Sequence, residues 1–284
     1  MTSDTLRPAY DVEALREGVL GAESSWRRLD VVEETGSTNG DLIARAAAGE
    51  DVDGVVLVAE NQTAGRGRRG RTWSAVPRAQ ITVSVGVAPR DVPSEAWGLL
   101  PLVAGVAVID AVSEVALRAA GIPLGLKWPN DVLAGVGGAA GKLAGILAEV
   151  APSGPTIVVG IGLNVSLLPE ELEDPGIATS MLALGVEAPD RDRVLRALLR
   201  HLDRRIGGWR STGGADERLL ADYRARSLTI GSRVRALLPG DSEIVGTATA
   251  VDAQGRLLLD TDGGVVAISA GDIVHLRTAG DLPG

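Results

Sequence analysis

The alternation of apolar and polar positions divides the chain into short strands and amphipathic helices. Residues 11 to 20 read as one short helix and Leu29 to Glu33 as a first strand. The GSTN run at 36 to 39 opens a second helix, with Ser37 or Thr38 as the N-cap of the segment from Asp41 to Ala48. GVVLVAE (54 to 60) and ITVSVGV (81 to 87) are β-branched runs of the buried-strand type, with a Gly/Arg loop between them. From Pro93 to Ala120 the pattern is helical, with Pro101 ending or kinking a first short segment. LGLKW, a segment around Asp131 to Ala134, KLAGILAEV and TIVVGIGLNV follow as strands punctuated by Gly and Pro. Arg191 to Trp209 forms a long amphipathic helix with Val194, Leu195, Leu198, Leu199, Leu202 and Ile206 on one face, and Glu217 to Arg226 a shorter one. After residue 227 the spacing changes to that of hairpins, in SRVRALLP, EIVGTATAVD, GRLLLDT, GVVAISA and GDIVHLR, which together predict a small all-β barrel. The fold class is therefore α+β, with a main domain over residues 1 to 226 and a C-terminal β module over 227 to 284. No repeat or low-complexity linker separates the two, so they are expected to pack together.

Composition narrows the chemistry. The 284 residues are 45% apolar and 23% charged, enough for a large core and too apolar for a disordered chain. Zero Cys excludes disulfides, Cys-ligated zinc, iron–sulfur clusters and a thiol nucleophile, and with His201 and His275 as the only histidines multi-His metal sites go as well. Both histidines read as structural, because no Ser/Asp arrangement accompanies either. The acidic, weakly apolar start MTSDTLRPAYD does not read as a secretory signal, and a cytoplasmic location is expected. Residues 96 to 109 and 150 to 169 are uncharged, but the first is short and contains Pro101, and the second contains Pro152, Pro155, Pro169 and Asn164, so no membrane span is expected. A net charge of −9 argues against broad binding to nucleic acid or anionic lipid, which is driven by neutralising phosphates. Any anion site must then be local.

Two local concentrations of positive charge stand out against that balance. GRGRRGR, residues 65 to 71, sets Arg66, Arg68, Arg69 and Arg71 among Gly65, Gly67 and Gly70 between two strands. Mutual repulsion and glycine freedom make such a loop mobile when empty, and guanidinium forks with exposed backbone N–H groups suit phosphate or carboxylate oxygens. A solvated basic hairpin tip is the alternative. The run also fits G-x-G-x-x-G, but a strand and not a helix follows it, so a dinucleotide site is rejected. The only two lysines, Lys127 in KWPND and Lys142 in GKLAGI, lie fifteen positions apart, and Lys127, Asn130 and Asp131 flank a Pro-restricted turn at a strand end. With Gly141 leaving room beside Lys142, two ammonium groups and one carboxylate near the arginine loop describe an anionic-substrate site with one base. Ordinary strand-end and turn roles for these residues remain open on spacing alone, as they do for Asn164 after GIGLN.

Taken in order, GSTN (36 to 39), AENQTAGRGRRGRTW (59 to 73), KWPNDV (127 to 132), GKLAGILAE (141 to 149) and GIGLNV (160 to 165) resemble the bacterial biotin protein ligases. The resemblance extends from about residue 30 to 277 and includes GSRVR, AVDAQGRLLLD and AGDIVHLR of that family's SH3-like C-terminal barrel. It implies a mixed-sheet catalytic domain of the biotin/lipoate ligase type that binds biotin and ATP. It also implies a two-step reaction with ATP and Mg2+: biotin is activated to biotinyl-5'-AMP with release of pyrophosphate, then transferred to a lysine of the biotin carboxyl carrier domain of an acyl-CoA carboxylase. By the same resemblance Ser37, Thr38, Asn39, Gln62, Arg66, Gly67, Arg68 and Lys142 contact biotin. Gly65, Arg69, Gly70, Arg71, Trp73, Lys127, Trp128, Asn130, Asp131 and Asn164 face the ATP or adenylate, with Asn130, Asp131 and Asn164 near the metal. Lys142, Arg68 and Asp131 are the catalytic candidates, Asp131 as base or orienter for the incoming amine, and no protein-only metal site is assigned.

The pattern departs from the family in places. Only 36 residues precede Ser37, with one clear helix, too few for the helix-turn-helix domain some members carry, so a ligase without operator binding is expected. Gly141 stands where many relatives have a basic residue, and Gly40 where a polar side chain is common. A lipoate or octanoate ligase is the nearest alternative. A non-enzymatic nucleic-acid module is the other, but residues 228 to 277 carry four Arg against six Asp+Glu, the wrong sign for it. A monomer or weak homodimer is expected.

Overall fold

A computed structural model describes residues 7–117, 121–136, 139–152, 154–172, 177–238, 242–269 and 271–276. The chain begins with helix α1 (Val12–Val19), whose N-terminus is capped by the Asp11 carboxylate accepting from Ala14 N, and strand β1 (Arg28–Thr35). Helix α2 (Thr38–Ala47) is capped by Ser37, the first of the two residues the sequence offered for that role. Strand β2 (Val55–Gln62) leads into a two-stranded hairpin, β3 (Gly65–Arg66) and β4 (Thr72–Trp73), and then β5 (Gln80–Val87). A 3-10 segment at Ser94–Leu99 runs into helix α3 (Leu100–Val112), with Pro101 in the first turn, where its missing N–H is not needed. Strands β6 (Leu124–Lys127), β7 (Asp131–Val136), β8 (Ala139–Val150) and β9 (Ile157–Asn164) follow, and helices α4 (Arg191–Ser211) and α5 (Glu217–Arg226) close the domain. The predicted helix ending at Ala120 is described through a π-turn over Ser113–Leu117, and residues 118–120 lie outside the described residues.

Seven strands make one mixed sheet in the order β1-β2-β5-β9-β8-β7-β6, with β1 and β2 parallel and the remaining pairs antiparallel. Period-two alternation gives the two faces different characters. On β5 and β9, Ile81, Val83, Val85, Ile157, Val159, Ile161 and Leu163 are buried in the main core with α3 and α4. The intervening positions include Val158, which joins a smaller core under α2, and Thr82, Ser84, Gly86, Gly160 and Gly162, which leave the opposite face shallow and polar near the middle.

Helix α3 lies against the sheet and under α4, so it is apolar almost all round. The helical run Ser94–Val115 is apolar and long enough to cross a membrane by composition, yet 72% of its most apolar window is buried in this core. Gly105 lets the helix approach the sheet, since a Cβ there would lie 3.1 Å from Leu126 Cδ2. Its half-buried Asp110 is matched by Arg205 Nε at 2.7 Å and Arg226 Nη2 at 3.1 Å.

Strands β10 (Arg233–Leu237), β11 (Glu243–Val251), β12 (Leu257–Thr261), β13 (Gly264–Ile268) and β14 (Asp272–His275) form the antiparallel C-terminal module, in the order β13-β12-β11-β10-β14. The module packs on the main domain, as expected from the missing linker. Trp128 is 2% exposed, donates its indole N–H to Gly255 O at 3.0 Å, and its backbone N–H meets Thr229 Oγ1 at 3.1 Å. Gly255 has φ +80° and lies so close that a Cβ would come within 2.7 Å of Gly98 O, so glycine is required by both conformation and space.

Candidate active site

The shallow face of the sheet, the arginine hairpin and β14 together enclose a cleft of about 250 Å³. Its floor depends on glycines. A Cβ at Gly160 would overlap the amide of Asn39, and one at Gly162 would overlap the indole of Trp73, so these two side chains lie on the sheet only because both positions are bare. Hairpin β3–β4 delivers Trp73 across the cleft, and Lys142 Nζ stands 5.6 Å from its ring centroid.

One end of the cleft is a network of hydrogen-bonding groups around the N-terminus of α2, uncharged apart from the Glu149–Arg66 pair. Gln62 Oε1 accepts from the backbone N–H of Thr38 at 2.9 Å and from its hydroxyl at 3.0 Å. Ser84 Oγ lies 2.7 Å from Thr38 Oγ1 and 2.6 Å from Asn39 Oδ1. Asn39 Nδ2 donates to Leu147 O at 3.2 Å and to Glu149 Oε2 at 2.8 Å, and Glu149 also receives Arg66 Nη2 at 3.2 Å. Residues from α2, β2, β5 and β8 therefore hold one another in place, which keeps the polar groups at this end preorganised.

The other end is cationic. Lys142 on β8 and Asp131 at the start of β7 form an ion pair of 2.8 Å, with both side chains only partly exposed. Lys127, Arg68 and Arg71 line the same end. Burial works against the charge on Arg68, Asp272 and Asp131 nearby favour it, and Arg69 and Arg71 oppose it. Asn130 is held to β8 by its Nδ2 donating to Ile146 O at 2.8 Å, which fixes the turn that carries Asp131. An uncharged ring would fit the first end and a phosphate or carboxylate the second.

Residues 44–166 match the Biotin/lipoate A/B protein ligase family and residues 229–276 the Biotin protein ligase C terminal domain. The chain is 59% identical over 274 residues to the Biotin--[acetyl-CoA-carboxylase] ligase of Mycobacterium tuberculosis, covering 96% of this chain and 98% of that one. This chain belongs to the biotin protein ligases. It is also 33% identical over 253 residues to the Bifunctional ligase/repressor BirA of Escherichia coli, covering 86% of this chain and 72% of that protein. Among solved structures it resembles the biotin protein ligase from Aquifex aeolicus in complex with biotin and ATP, with a TM-score of 0.72, 29% identity, and coverage of 89% and 100%.

Within this biotin protein ligase the cleft brings together most residues singled out from the sequence. Ser37, Thr38, Asn39, Gln62, Arg66, Gly67, Arg68, Arg71, Trp73, Lys127, Trp128, Asn130, Asp131 and Lys142 all line it. Trp128 does so while committed to the C-terminal module by its indole N–H. Asn164 does not line it. That residue is 4% exposed, accepts from Gln80 Nε2 at 2.8 Å and donates to Thr179 O at 2.9 Å, so its side chain braces the end of β9 and is spent on structure. Gly65, Arg69 and Gly70 also lie off the lining. Gly65 packs under Trp73, and Arg69 turns to the module, donating to Leu237 O at 3.2 Å.

One further expectation is corrected. Gly141 does not leave room beside Lys142, because a Cβ there would lie 2.9 Å from Thr179 Cβ and 3.1 Å from Ala178 O, where residues 178–179 bridge to β8. The bare position serves that close approach. The arginine loop folds as a hairpin in which three of the four guanidinium groups meet carboxylates: Arg66 meets Glu149, and Arg69 and Arg71 meet Asp272. These carboxylates supply the neutralisation that the loop's own composition lacks.

Sequence reasoning missed Ser84, Thr82, Glu149, Asp272 and the glycine floor. The alternation in ITVSVGV does mark Thr82 and Ser84 as the polar face of a buried strand. No local pattern marks Asp272, which lies 201 positions from the arginine it meets.

Proposed function

We propose that the cleft joins biotin to the adenylate of ATP and then passes the biotinyl group to a lysine of the biotin carboxyl carrier domain of an acyl-CoA carboxylase. The observation that carries this reading is one cleft with two chemically distinct ends, the neutral Thr38–Gln62–Ser84 network and the Lys142–Asp131–Arg68 group. The fused ring of biotin suits the first, and its carboxylate with the phosphates of ATP suits the second.

In the first step a carboxylate oxygen of biotin bonds to the α-phosphorus of ATP, the bond from that phosphorus to its bridging oxygen breaks, and pyrophosphate leaves. Both reactants are anions, so the main tasks of the chain are to overcome their repulsion and to align them. Lys142 sits where it would neutralise the attacking carboxylate, and Arg68 where it would take charge from the α-phosphate. Among the described residues no group of three His, Cys, Asp or Glu side chains could cage a metal. Mg2+ carried on the phosphate oxygens and water would offset part of the triphosphate charge.

In the second step the neutral amine of the carrier lysine attacks the acyl carbon, the bond from that carbon to the phosphate oxygen breaks, and AMP leaves with the electron pair. Asp131 orients the amine and takes its proton. The hairpin covers the anhydride and excludes the water that would hydrolyse it. Consumption of ATP supports a cytoplasmic location.

The test is incubation with ATP, Mg2+, biotin and a purified carrier domain, reading label on the carrier lysine. Label that requires ATP, with no label from lipoate, is the expected result. Lipoate used in preference to biotin, or no transfer, would overturn the reading.

A further inference from the structure

We propose that Asp272, in the C-terminal module, is a positioning residue that latches the arginine hairpin over the cleft. The functional consequence rests on the biotin-activating reading above; the latch itself rests on geometry. Asp272 opens β14, and its carboxylate meets Arg71 Nη2 and, at 3.5 Å, Arg69 Nη1. Arg69 also donates to Leu237 O at 3.2 Å, and Leu237 is the register partner of Asp272 across β10 and β14. Two adjacent strands of the module thus grip the tip of the hairpin.

The tip carries the mark of being held. Arg69 has φ 56°, in the left-handed region that an L side chain rarely adopts, and such a conformation persists where surrounding contacts impose it. Asp272 is 20% exposed and Arg71 67%, so the carboxylate is the enclosed member of the pair and the guanidinium the exposed one. At the other end of the hairpin, Arg66 reaches Glu149 of β8 at 3.2 Å. The cover is strapped to the catalytic sheet on one side and to the module on the other, and without Asp272 the adjacent charges of Arg68, Arg69 and Arg71 would push the tip outward. The module then acts through Arg69 and Arg71 on how long the acyl-adenylate is retained.

The loop reports its own state, because Arg66, Arg68, Arg69 and Arg71 are trypsin sites. In the full chain without substrates, Asp272→Asn is expected to raise tryptic cleavage within residues 65–71 by about fivefold relative to cleavage elsewhere, the scale of one partly exposed ion pair. Asp272→Glu should restore most of the protection. With biotin and ATP supplied, Asp272→Asn should release biotinyl-5'-AMP about fivefold faster, read by chase of the labelled adenylate. Unchanged loop cleavage in Asp272→Asn would overturn the latch. Should that variant cleave faster everywhere through loss of stability, Arg71→Gln removes the same contact from the loop side, and its failure to expose the neighbouring sites would overturn the latch equally. Faster loop cleavage in a protein whose wild type never labels the carrier would count against the biotin reading and leave the latch standing.

Discussion

Lys142 and Asp131 face each other at 2.8 Å across β7 and β8, and removing either side chain strips a different step of its support. Lys142→Ala takes away the ammonium at the point where two anions must meet and leaves Asp131 to repel both. Biotin-dependent pyrophosphate exchange is expected to fall by roughly a hundredfold or more, the scale for losing one charge-stabilising group. Asp131→Asn keeps the shape and loses the base. Single-turnover measurements should show adenylate formation largely retained and transfer to the carrier slower by about a hundredfold. Equal loss of both steps would refute that division of labour. Arg68→Gly removes a guanidinium that burial already disfavours. Its variant should leak acyl-adenylate and label lysines on bystander proteins, detectable by streptavidin blotting of a mixture containing serum albumin.

At the level of elements, the floor of the cleft follows from the alternation along β5 and β9. Ile81, Val85, Val159 and Leu163 go to the core, while Thr82, Gly160 and Gly162 line the cleft and Ser84 bonds Thr38 and Asn39. Hairpin β3–β4 lays Trp73 on Gly162 with no space for a methyl group between them. Gly162→Ala should therefore lift the hairpin and not unfold the sheet, since the hairpin is at the surface and the strand is central. Titration calorimetry should show biotin binding weakened by about tenfold or more, with the thermal midpoint close to that of the wild type. A large drop in the midpoint with biotin affinity intact would show that the strain falls on the sheet. Ser37 illustrates the same coupling of element to site: as the cap of α2 it fixes the helix start that presents the Thr38 N–H to Gln62.

At the scale of the whole molecule the C-terminal module is joined to the main domain by contacts that can be titrated. Burial pushes the pKa of His275 below its ordinary value of 6.5, and Lys127 acts in the same direction. In the neutral ring Nε2 lies 3.3 Å from Thr229 Oγ1, the atom that receives the Trp128 backbone N–H. The unfolded chain takes up this proton near pH 6.5 and the folded chain only at lower pH, so the unfolded state binds more protons in between. The stability contributed by neutral His275 is thus complete above that pH and is lost as the solution is acidified below it. Urea midpoints measured on lowering the pH from 7 toward about 5 should fall more steeply for the wild type than for His275→Gln. Parallel curves would show that the histidine is not coupled to unfolding.

Much of the site was legible in short segments, for a physical reason: GSTN, GRGRRGR, KWPND and GKLAGI each compress several polar groups around one turn or strand end. The α+β fold class, the start of α2 at Ser37 or Thr38 and the apolar face of α4 were equally local, set by helix and strand periods and by capping chemistry. Packing alone decided that Asn164 would brace β9 and not reach the cleft, that Gly141 would serve residues 178–179, and that Asp272 would neutralise a loop 201 positions away. Periodicity records which way a side chain faces within its own element, whereas the partner it meets there depends on how distant elements are stacked.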